Sequence, residues 1–154
     1  PSSRMLTRVI RPSSAAEATS LGIPHRQPVV HLRRLRFADD EPIAIESAIL
    51  LGSCADAVMT ADLSRGSLHE TLARSGYVLR RGTGTIAAAA ATAEEARLLG
   101  LRTGDPLLVE RRVIVDAHGR RIEATESVYP ADRYALDVQF DVEAPDLTGA
   151  EEES

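Results

Sequence analysis

A chain of 154 residues has material for one domain with a real core. Its hydrophobic content is 44% but its aromatic content only 3%, with no Trp, so aliphatic side chains and Ala must build that core. All 18 basic residues are Arg and the net charge is −5; Asp141–Ser154 holds six of the 23 acids and no base, and the rest is near neutral, without the basic stripe of a nucleic-acid surface.

Met5–Ile10 reads as a short strand. Ser13 or Ser14 caps a helix that runs to Leu21, and Gly22 fits a left-handed stop. Val29–Leu51 then reads as two strands around the polar loop Asp39–Glu41, with Pro42 opening the return. With that loop, Ala38 pairs with Pro42 and Arg34 lies opposite Glu46. Cys54–Thr60 is short enough for one or two helical turns. Ser67-Leu68-His69-Glu70 is a capping box opening a helix that ends near Gly76. Tyr77–Ala89 looks extended, and a second capping box, Thr92–Glu95, starts a helix stopped at Gly100. Pro106–Asp116, the loop Ala117-His118-Gly119 and Arg121–Tyr129 make a second hairpin. A turn at Asp132–Tyr134 precedes a last strand, Ala135–Val142. Residues 1–142 then form the domain, and 143–154 an acidic tail expected to be disordered.

The chain carries an internal repeat. SAAEATSLGI (Ser14–Ile23) matches TAEEARLLGL (Thr92–Leu101), and at the same spacing Arg33-Arg34 match Arg111-Arg112. Past the hairpin loops Ile45-Glu46 match Ile122-Glu123. Two helix–hairpin units in one small domain predict an α+β fold built on one antiparallel sheet.

Side chains alternate faces along a strand, so Arg34, Arg36 and Glu46 share a face on which Ala44 and Ala48 leave room. Two guanidinium forks and a carboxylate there make an anion and hydroxyl pocket. The same pattern also suits an ordinary cross-strand salt bridge. Ser67 stands at a helix start, which favours an anion, and is in any case a cap. Glu123, Thr125, Ser127 and Tyr129 alternate onto one polar strand face, which is either a binding face or a solvated one.

Other chemistry is sparse. Cys54 is the only cysteine, so there is no internal disulfide, and it reads as a small buried apolar residue. There is no nucleophile–base pair, no metal-spaced cluster and no Gly-rich phosphate loop, which argues against an enzyme and predicts no cofactor. A purely structural dimerisation module fits poorly with a pocket of Arg and Glu, because unligated buried charge is costly. No apolar run spans a membrane and no signal peptide is evident, so a cytoplasmic protein without membrane contact is expected. The opening Pro1-Ser2-Ser3, without an initiator Met, reads as the middle of a longer protein.

The stretches SLGI, RLRFADDEPIAIES, GSLHETL, ATAEEARLLGL, GDPLLVERR and IEATESVYPADRY, in this order, resemble the UTRA effector-binding domain of GntR-superfamily, HutC-type bacterial transcription regulators. The resemblance covers about Met5 to Phe140. It implies a chorismate-lyase-like fold, an antiparallel sheet flanked by helices, with a small-molecule pocket. It also implies a cytoplasmic homodimer, and DNA contact only through a winged helix-turn-helix domain absent from this chain. An enzyme acting on a small carboxylic acid is the alternative that the shared lyase fold suggests. The closest similarity is to members that sense amino-sugar phosphates. By that likeness Arg34, Arg36 and Ser67 hold the phosphate, and Glu46, Glu123 and Tyr129 the sugar. Arg81 matches a recurrent family arginine, with Arg80 beside it. His69 stands where the family often has Tyr, and can bind phosphate, face solvent or pack. Arg133 and Tyr134 are expected to pin a turn rather than touch ligand.

Overall fold

The computed structural model describes residues 1–148. Six strands form one antiparallel sheet: β1 (Ser2–Pro12), β2 (Pro28–Ala38), β3 (Glu41–Leu51), β4 (Leu79–Ala90), β5 (Pro106–Asp116) and β6 (Arg121–Pro130). Their order across the sheet is β1-β2-β3-β6-β5-β4. The α-helices are short: α1 (Ala15–Leu21), α2 (Ala55–Val58), α3 (Leu68–Arg74) and α4 (Ala93–Leu99). Each half of the chain thus runs strand, helix, strand, strand, and the halves meet where β3 pairs with β6. The expected single sheet with both hairpins in it is what forms; the strand order alone does not establish the sequence repeat.

Local chemistry explains the helix ends. Ser14 and Thr92 each accept a bond from the N–H three residues on, and Glu17 and Glu95 return it to the cap backbone. Gly22 and Gly100, at φ +65° and +68°, turn left-handed where a side chain would be strained. The third capping box is only half made. Ser67 accepts from the Glu70 N–H, but the Glu70 carboxylate leans toward Arg74, 3.8 Å away, one turn along an exposed face.

The first hairpin turns more tightly than its sequence suggests. Its turn is two residues, Asp39-Asp40, both at positive φ (48° and 64°), so Ala38 pairs with Glu41 and Phe37 with Pro42. A bulge beside Ile43 then absorbs one residue, and Arg36 faces Ala44 while Arg34 faces Glu46. The expected Arg34–Glu46 register therefore stands on a different turn.

Helices cover both faces. On one side Leu35, Ile45, Val109 and Val128 pack against Ala96 and Leu99 of α4. On the other, Leu32, Ala48 and Leu50 pack with Val58 of α2 and Leu68 and Leu72 of α3. The carbonyls of Pro42 and Leu99 accept bonds of 2.8 and 2.7 Å from Arg133, which pins the turn after β6 as expected.

The last strand, Ala135–Val142, does not form. Beyond Arg133 the segment has no ladder partner, and Leu136, Val138, Phe140 and Val142 are 51–83% exposed. Alternation is a side-chain pattern, whereas a strand also needs a neighbour to take its N–H and C=O groups. Residues 143–148 carry no helix or strand, and the rest of the acidic tail lies outside the described residues.

Gly84 is where β4 meets β5 most tightly: a Cβ there would stand 1.9 Å from the Arg111 carbonyl oxygen. Gly84→Ala should destabilise the domain by about 1–3 kcal/mol, seen as a lower urea midpoint. Gly82→Ala, whose new Cβ would meet nothing closer than 3.8 Å, should cost clearly less.

Candidate functional site

The face of β2, β3 and β6 that carries even-numbered arginines opens, beside α3, into a cleft of about 250 Å³. That is small beside the ~300–1,000 Å³ of drug-sized ligand sites and suits a compact metabolite. Arg34 is 6% exposed, and its Nη2 donates to Glu46 Oε2 at 2.9 Å. From two residues along the strand, Arg36 Nη1 donates to both oxygens of the same carboxylate, at 3.3 and 3.2 Å. One Glu46 therefore serves two guanidinium groups, and neither pairing is a full fork. Arg34 Nη1 and Arg36 Nε are left buried without a partner, as is the Thr125 hydroxyl on β6. Burial pulls the Arg34 pKa down, and Glu46 opposes the pull.

Glu123 enters from β6 and is 1% exposed. Its Oε2 lies 2.9 Å from His69 Nε2, which comes from α3 across the cleft. The hydrogen bond to Glu123 raises the His69 pKa, against the desolvation of the ring. Ser67 opens the same wall, preceded by Arg65 and Gly66. Because α3 has only seven residues, its dipole is slight, and Ser67 contributes through its hydroxyl, which is still free to donate while its oxygen caps the helix. The wall hangs on β1: Ser3 N–H donates to the Ser64 carbonyl at 2.7 Å, and Arg8 Nη1 to those of Met59 and Ala61 at 3.0 and 2.9 Å.

The structure thus gathers Arg34, Arg36, Glu46, Ser67, His69 and Glu123 around one cleft. Tyr129 is on the same strand face as Ser127 but one row beyond, stacked on Tyr134 with ring centres 4.0 Å apart. Arg81 is not there: it alternates with Gly82 onto the face of Thr83, away from Gly84 and its partner Arg112, in a groove with Ser20, Thr83, Val113 and Arg121. Arg112 and Arg65 are cations that sequence reasoning missed as site residues; Arg65 comes from the loop before Ser67. Arg112 lines the cleft from β5 and is paired with Glu110 at 2.9 Å. The signal was available, since the repeat aligns Arg112 with Arg34. Thr125 and Ser127 also line the cleft, as their alternation with Glu123 suggests.

The His69–Glu123 bond has a pH signature. A raised folded-state pKa makes the imidazolium stabilising below about pH 6.5, the unfolded value, and that contribution disappears as pH rises through the folded value. The urea midpoints of the parent and of His69→Gln should therefore differ most in mild acid and converge in alkali. A constant gap would place the stabilisation in packing instead.

Residues 1–135 match the family model described as the UTRA domain. Over 137 residues the chain is 30% identical to the HTH-type transcriptional repressor NagR of Bacillus subtilis (strain 168), covering 88% of this chain and 56% of that protein. Over 125 residues it is 26% identical to the histidine utilization repressor of Klebsiella aerogenes, covering 80% and 51%. The chain so spans about half the length of these curated relatives. Its fold superposes on a GntR-family transcriptional regulator from Enterococcus faecalis V583 with a TM-score of 0.81, at 25% identity and covering 90% of this chain and 99% of that one. These relatives are named as regulators and not as enzymes. The family match, the antiparallel sheet with helices on both faces and the charged cleft agree, and the chain belongs to the UTRA domain family.

Proposed function

We propose that this chain is the effector-sensing part of a transcription regulator, and that its cleft takes a small metabolite with one anionic end and one hydroxylated or aminated end. An amino-sugar phosphate has that chemistry. DNA is contacted by a winged helix-turn-helix domain outside this chain, and the effector alters that contact. The observation that carries the reading is the pair of buried, unpartnered N–H groups on Arg34 and Arg36. Buried donors left unmade cost about 1–3 kcal/mol each, so a site that keeps two beside one shared carboxylate is completed by an incoming anion.

The Arg34 and Arg36 donors grip the phosphate or carboxylate, with the Ser67 hydroxyl on the facing wall. Glu46 and Glu123 accept bonds from ligand hydroxyl or amine groups, and His69 is the proton donor that a ligand displaces from Glu123. Tyr129 stands just outside the cleft lining, beyond Ser127 on the Arg36 side, where it donates or stacks against the longest ligands. Charge supports this polarity: Arg34 and Arg36 stand opposite Glu46 and Ala44, and the deeply buried Glu123 lies further along the same face, opposite Leu50. No helix among the described residues is long and apolar enough to cross a membrane, and none of their His, Cys, Asp and Glu groups forms a metal-sized cluster.

Calorimetry with glucosamine 6-phosphate, and with inorganic phosphate as the minimal anion, tests it. Charge-assisted bonds contribute on the order of 1.5–3 kcal/mol, so Arg36→Ala should weaken binding roughly ten- to a hundredfold. The fold should survive, because Arg34 still pairs with Glu46. Unchanged affinity in both Arg34→Ala and Arg36→Ala, with the fold intact, returns these arginines to plain cross-strand ion pairs.

A further inference from the structure

We propose, resting on the effector reading above, that His69 sets the chemical class of the ligand: the cleft takes a sugar or polyol phosphate whose second end carries hydroxyl groups, and discriminates against one whose second end is an ammonium. That reading leaves the second end open between a hydroxyl and an amine, and the charges already in the cleft choose between them.

No carboxylate in the cleft is spare. Arg34, Arg36, Arg65 and Arg112 line it with His69, against Glu46 and Glu123. Glu46 accepts from Arg34 at 2.9 Å and from Arg36 at 3.2 and 3.3 Å. Glu123 is held by His69 at 2.9 Å. Glu110 answers Arg112 from outside the lining. The buried groups left unmade are Arg34 Nη1 and Arg36 Nε, which only donate, and the Thr125 hydroxyl, which can do either. The cleft is thus short of acceptors and rich in positive charge. A phosphate and hydroxyl oxygens supply acceptors, whereas an ammonium brings three more donors, no acceptor and another positive charge.

His69 is what an arriving second end meets on Glu123. The His69 side chain is 46% exposed and that of Glu123 only 2%, so the ring can leave and the carboxylate cannot. Facing the ring are Glu123 from β6, Glu46 from β3 and Arg112 from β5, with Arg34 and Arg36 of β2 behind Glu46. On its own helix Glu70 leans away toward Arg74. The bond to Glu123 favours the protonated ring. A hydroxyl that takes the ring's place adds no charge, and the imidazolium stays near its counterion. An ammonium that takes the same place pairs with Glu123 itself. The imidazolium is then left beside Arg112 without a counterion and gives its proton to solvent. Only the ammonium ligand carries that cost.

Glucose 6-phosphate and glucosamine 6-phosphate test this, because they differ by one hydroxyl against one ammonium. Calorimetry on the whole chain at about pH 6.5 should show glucose 6-phosphate bound roughly tenfold more tightly. In buffers of different ionisation heat, the glucosamine ester should release about one proton more than the glucose ester. His69→Gln keeps a neutral donor against Glu123, so it should bring the two affinities together and remove the extra proton. The measurements on the parent need no variant and stand if His69→Gln does not fold. Equal affinities in the parent, or tighter binding of glucosamine 6-phosphate, overturn the assignment to His69 and leave the effector reading in place. A preference that His69→Gln retains in full overturns it as well, and so does binding of inorganic phosphate with neither ester. Absence of binding by both esters and by inorganic phosphate overturns the effector reading and the role of His69 together.

Discussion

One carboxylate shared between two guanidinium groups is the point on which the site depends. Arg34 is almost wholly removed from water, so its charge needs Glu46 in reach; without it, desolvation would be uncompensated. That need fixes the register of β2 on β3, because a slip of one residue would swing Arg34, Arg36 and Glu46 to the opposite face, among the apolar contacts of α4. The bulge beside Ile43 belongs to the same requirement. A two-residue Asp39-Asp40 turn alone would set Arg34 against Ile45, and the extra residue returns it to Glu46.

Much of the fold was legible because its signals are local and redundant. Ser14, Thr92, Gly22 and Gly100 each do what their side chain, or its absence, dictates within four residues. The strands β5 and β6 announce themselves by branched aliphatic residues between a proline and a glycine-bearing loop. What failed depends on partners that local sequence does not name. Glu70 had two available donors and took Arg74 over the cap. The Ala135–Val142 pattern was right for a strand and silent about the neighbour it would need.

The site was legible to the extent that alternation is reliable. Counting by twos from Arg34 and from Glu123 gives the cleft's sheet side, including Thr125 and Ser127. Arg81 was read from likeness to the family and not from alternation, and its parity along β4 puts it with Thr83 on the far face. Arg112 was hidden for another reason. Nothing in its own neighbourhood marks it, and only its alignment with Arg34 through the repeat places a cation there. Tyr129 keeps the right parity, but the chain beyond Arg133 brings Tyr134 back onto its ring, which sequence spacing alone does not reveal.

The two sides of the cleft are held by different means, and this assigns them different jobs. The sheet side rests on continuous ladders from β2 through β3 to β6, with Leu32, Leu50 and Ile122 fully buried beneath. Charges mounted there cannot shift without breaking several backbone bonds at once. The facing wall is a loop and a two-turn helix, seated by Leu68 and Leu72 and tied to the edge strand β1 through Ser3 and Arg8. Ties to an edge strand open more cheaply than a central ladder. The sheet therefore fixes where the arginines and Glu123 stand, and the wall carrying Ser67 and His69 closes the cleft from the opposite side on the weaker of the two supports.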